Sequence, residues 1–64
     1  MVGKRINIIA SPVLTSIKLN ELVGQQGIVV ENGPHNNGAY VQLDKAYMNE
    51  SEWFIPNESI QIIE

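Results

Sequence analysis

The chain reads as all-β: a small five-stranded barrel with a long loop after the first strand and a short 3-10 turn before the last. Three observations predict it. Gly24 and Gly27 stand three apart at the mouth of the run Ile28-Val29-Val30, as in a chain that leaves a tight turn for a sharply bent strand. Short stretches alternate apolar with polar residues, as in Ala39–Leu43 and Ile60–Ile62. Groups of turn formers separate them, above all Asn32-Gly33-Pro34-His35-Asn36-Asn37-Gly38.

The elements follow in order. Val2 to Ala10 is the first strand, with Val2, Ile6 and Ile8 on one parity. Ser11-Pro12 ends it, because Pro12 lacks a ladder donor and biases Ser11 toward extended or turn geometry. Val13 to Glu21 has no clean period and reads as a partly ordered loop over one barrel end, with a single helical turn as the alternative. Gly27 to Glu31 is the second strand and Ala39 to Leu43 the third, with Ala39, Val41 and Leu43 on one face and Tyr40 and Gln42 on the other. Asp44 to Ser51 reads as a polar connection, and Glu52 to Ile55 as the fourth strand. Pro56 to Ser59 reads as a tight helical turn, with Asn57 and Ser59 able to bond nearby backbone. Ile60-Gln61-Ile62 closes the domain.

The bulk numbers narrow the function classes. With 64 residues the chain is expected to be one domain, 1–64. Its hydrophobic share is 44%, ordinary for a globular protein. It has no cysteine, so neither disulfide nor thiolate metal site is available, which favours a reducing, intracellular compartment or a partner that completes the fold. The net charge is −3, and the four basic residues Lys4, Arg5, Lys18 and Lys45 are scattered. Nucleic-acid binders ordinarily present a basic face to phosphates, so that partner is disfavoured. No apolar run approaches the roughly 20 residues that span a bilayer. Lys4 and Arg5 precede a stretch that Asn7 and Pro12 interrupt, unlike a signal-peptide core. A cytoplasmic protein without membrane contact is expected.

The segment Trp53-Phe54-Ile55-Pro56-Asn57-Glu58-Ser59-Ile60 resembles the closing segment of SH3 domains, and the succession of elements resembles the SH3-like barrel. Gly24-Gln25-Gln26-Gly27-Ile28-Val29 is similar to the Gly-x-x-Gly-x-Val centre of KOW-type barrels. The layout is also similar to photosystem I subunit IV and other electron-transport accessory barrels. The resemblance runs from about Arg5 to Ile63 and implies a fold rather than an activity. Peptide-binding SH3 domains carry an acidic long loop and an aromatic shelf; here that loop holds only Glu21, so polyproline recognition is not implied.

No catalytic constellation is present. His35 is the only histidine and lies in a polar loop, without a second imidazole or a thiol to complete a metal site. Glu50 and Glu52 flank Ser51 in what reads as a hydrated loop. Gly24 and Gly27 are expected to serve backbone geometry, since phosphate cradling needs glycines that open a helix with a lysine following. Ile55 is expected to face inward, and Trp53 with it, leaving Phe54 and Tyr40 as candidate exposed aromatics. Together these point to a non-enzymatic binding or accessory module that contacts another protein without cofactor or metal. Tyr40, Tyr47, Trp53 and Phe54 are its candidate contacts, with loop residues His35 and Asn37. A KOW-type nucleic-acid barrel using the four basic residues is the alternative. The sequence leaves oligomeric state open.

Overall fold

The computed structural model describes residues 1–63. Five antiparallel strands form one sheet in the order β4-β3-β2-β1-β5. They are β1 (Arg5–Ile8), β2 (Gln26–Asn32), β3 (Gly38–Tyr47), β4 (Glu50–Pro56) and β5 (Ile60–Ile62). The all-β, five-stranded expectation holds, and so does the 3-10 turn before the last strand, at Asn57–Ser59. Closure into a barrel does not: β4 and β5 are the two edges of an open sheet. Pro56 withholds the next ladder donor at the end of β4, and the 3-10 turn then carries the chain to β1.

One face of the sheet is buried. Ile6 and Ile8 of β1, Val29 of β2, Ala39, Val41 and Leu43 of β3 and Ile55 of β4 form the core, together with Leu14 and Leu22 from the segment between β1 and β2. The alternation of β3 places Ala39, Val41 and Leu43 inward and Tyr40 and Gln42 outward. Gly27 lies where β2 crosses β3. A Cβ there would stand 2.7 Å from Val41 Cγ1 and closer still to the Gln42 carbonyl oxygen, so only hydrogen fits. Gly24 sits at φ 92°, in the left-handed region that side chains avoid, and its N–H bonds the Ile8 carbonyl at 2.8 Å.

Three stretches differ from the sequence expectation. The first strand is shorter than Val2–Ala10: Gly3 turns the chain at φ 87°, and Val2 lies exposed ahead of β1. The segment Val13–Glu21 is not a loop; the helical alternative holds, with a helix, α1 (Pro12–Ser16), and most of a 3-10 turn, Asn20–Leu22. Ser11 caps α1, its hydroxyl accepting the Leu14 N–H at 3.1 Å, and Pro12 opens the helix where a missing N–H costs nothing. Ser11-Pro12 thus starts an element rather than ending one, since β1 already stops at Ile8.

The polar connection Asp44–Ser51 is instead mostly strand. β3 continues to Tyr47, and Met48 and Asn49, at φ 53° and 66°, make a two-residue turn that pairs Tyr47 with Glu50. Two successive residues in the left-handed region are the signature of a type I′ hairpin turn. The ladder is irregular between Gln42 and Tyr47, which is why this stretch carries no alternation. Among the described residues no helix is long and apolar enough to cross a membrane.

Candidate interaction surface

The aromatic residues form two pairs on different parts of the molecule. Tyr40 and Phe54 face each other across β3 and β4, ring centroids 5.6 Å apart and planes at 66°. They stand on the outer face, opposite the core, because their neighbours Ala39, Val41 and Ile55 point inward. Both are half-buried. Tyr47 and Trp53 form a second edge-to-face pair, centroids 5.4 Å apart and planes at 62°. This pair packs against the core.

Phe54 is also the floor of the Asn32–Gly38 loop. A Cβ on Gly33 would lie 2.6 Å from Phe54 Cε1, and one on Gly38 would lie 2.9 Å from Phe54 Cζ. The ring occupies space that only two glycines leave open. The Gly33 N–H donates to the Gly38 carbonyl at 2.9 Å and closes the loop. His35 and Asn36 turn it through the left-handed region, both at φ 56°. Asn57 fastens it from below: its N–H donates to the Asn37 carbonyl at 2.9 Å and its side-chain amide to the Asn36 carbonyl. His35, Asn37, Tyr40 and Phe54 are thereby gathered at one end of the outer face.

Tyr47 and Trp53 are not part of that surface. The Trp53 indole N–H donates to the Glu50 carbonyl at 2.9 Å, and the Tyr47 hydroxyl donates to the Glu21 carboxylate. That bond pushes the Tyr47 pKa up, with desolvation and the Glu21 charge acting in the same direction. The pair ties the β3–β4 hairpin to the turn that carries Glu21.

Two carboxylates belong to the outer face, and one of them, Glu31, escapes sequence reasoning. In an unbroken strand Glu31 would share the inward parity of Val29. The register shifts between Val29, opposite Val41, and Glu31, opposite Tyr40. The bulge thus reverses the parity and brings Glu31 to the side of Tyr40. Glu52, expected at the start of a strand, lies opposite Gln42 on the same face. Nearby, Arg5 of β1 reaches over β2 to Asp44 with bonds of 2.8 and 3.3 Å. The guanidinium hydrogen bonds, aided by its charge, hold the Asp44 carboxyl below the usual carboxylate range, against a smaller opposing effect of burial.

No family model, curated protein or solved structure matches the chain.

Proposed function

We propose that the protein is a small, non-enzymatic cytoplasmic binding or accessory module whose outer sheet face and adjoining loop contact another protein. The observation that carries this reading is the Tyr40–Phe54 pair, set on the face away from the core and bordered by the loop of His35 and Asn37. Aromatic residues anchor interfaces far above their abundance, and recognition sits readily on loops held by a rigid frame. The element succession and the closing turn at Asn57–Ser59 support placing the fold among SH3-like barrels in their open form. A KOW-type nucleic-acid role draws less support. Of its four candidate phosphate contacts, Arg5 is committed to Asp44, on a face that also holds Glu31 and Glu52.

Protein capture from source-cell lysate tests the reading. Wild type, Tyr40→Ser and Met48→Ser are compared, each first checked for folding by circular dichroism. Met48 is a strongly exposed apolar residue away from this face, so its variant reports non-specific adhesion. Partner loss with Tyr40→Ser but not with Met48→Ser is expected. A partner held equally by all three, or none held by any, overturns the assignment.

A further inference from the structure

We infer that the outer face takes an extended peptide segment carrying two basic side chains, with Tyr40 between them and Phe54 alongside; this rests on the interaction surface proposed above. The register builds the site. One row across the sheet runs Glu31, Tyr40, Phe54, and the next runs Arg5, Ile28, Gln42, Glu52, with the Arg5 guanidinium held by Asp44. Each row ends in a carboxylate, on opposite flanks of β3. Among the described residues the one ion pair is Arg5–Asp44, so Glu31 and Glu52 are left uncompensated beside exposed portions of two aromatic rings.

A cation satisfies both features, because a carboxylate attracts it and an aromatic face binds it through the ring quadrupole. Strand spacing sets the distance. Two strand steps across and two residues along put the Glu31 and Glu52 positions about 12 Å apart, close to the span of residues four apart in an extended chain, which also share a face. Among the described residues no cavity is enclosed. An open surface of this kind suits a chain laid across it better than a small molecule, which needs concave cover.

The probe is a short Ser/Gly peptide carrying two arginines at that spacing, against a peptide with the arginines replaced by glutamate. Amide chemical shifts locate binding and a titration measures it. Binding centred on Tyr40 and Phe54 is expected, weakening steeply with salt and weakening about two- to fivefold in Glu31→Gln and in Glu52→Gln, the range of exposed ion pairs. Glu58→Gln removes the same charge from the 3-10 turn and leaves affinity unchanged. Equal weakening in Glu58→Gln, or shifts centred elsewhere, overturns the inference by making the attraction one of bulk charge. If the arginine peptide fails to bind while Tyr40→Ser still abolishes partner capture, the basic ligand class falls and the interaction surface stands. If both fail, the surface falls with it.

Discussion

The hydroxyls of Ser11 and Ser59 lie 2.6 Å apart, with Ser59 wholly buried. This bond joins the cap of α1 to the turn that precedes β5, across 48 positions of sequence. Ser11 also accepts the Leu14 N–H, so its oxygen serves two partners at once.

Removing either hydroxyl therefore has an asymmetric effect. Ser11→Ala loses a cap and orphans a buried hydroxyl, for about 2 kcal/mol. Ser59→Ala leaves the cap intact and costs about 1 kcal/mol. The double variant is expected to lose little beyond Ser11→Ala alone, because no hydroxyl is then left unpaired. Urea unfolding of the four proteins in a double-mutant cycle measures the coupling. Simple additivity would show that the bond carries no energy.

Gly27→Val is expected to unfold the domain, since its Cβ would collide with the backbone of Gln42, which cannot swing aside as a flexible side chain can. Gly24→Ala meets open space and pays only for the left-handed backbone, about 1–2 kcal/mol. Circular dichroism melts separate the two: loss of the folded signal in the first, a lowered Tm in the second. A folded Gly27→Val variant would place the close approach of β2 and β3 in doubt.

The hairpin at Met48-Asn49 can be improved. Its turn demands left-handed backbone at both positions, and Asn-Gly meets that demand better than Met-Asn. Met48→Asn with Asn49→Gly is expected to stabilise the protein by about 0.5–1 kcal/mol, raising Tm by several degrees in a domain of this size. Scanning calorimetry reads the change, and no gain would mean that another turn geometry holds in solution.

Stability should fall at low pH partly through Asp44. Its folded pKa is depressed by Arg5, so its contribution is present above the unfolded value of about 4 and is lost as pH falls through the lower folded value. Asp44→Asn is expected to flatten that part of the stability curve without altering the neutral-pH fold. Denaturant midpoints measured from pH 2 to pH 7 test it, and an unchanged acid limb would remove the pair from the explanation.

Alternation alone located the inward set Ala39, Val41 and Leu43 and the outward position of Tyr40, because each lies on regular strand. It located the five strands and the bounds of β5, but not the lengths of the other four. Ser11-Pro12 carried two meanings, strand end and helix start, and only tertiary burial of Leu14 settles which segment follows. Asp44–Ser51 hid a hairpin because the ladder is irregular there and Met48 is an unusual turn residue. At the surface, the grouping of Tyr40 and Phe54 follows from parity, whereas Glu31 depends on a bulge that leaves no mark in composition. Trp53 and Tyr47 looked like contacts by residue type, and their polar tips are taken up by Glu50 and Glu21 of the same chain.

An open sheet also has to keep from growing. Unpaired edges invite further strands from other chains, and a closed barrel would have had none to guard. Here each edge carries its own deterrent. β5 is only three residues long, too short to template a stable addition. β4 begins with Glu50 and Glu52 and ends in Pro56, so an incoming copy meets its own negative charge and a position with no N–H to offer. Glu52, proposed above as a ligand contact, thus also helps keep neighbouring molecules from polymerising along the edge.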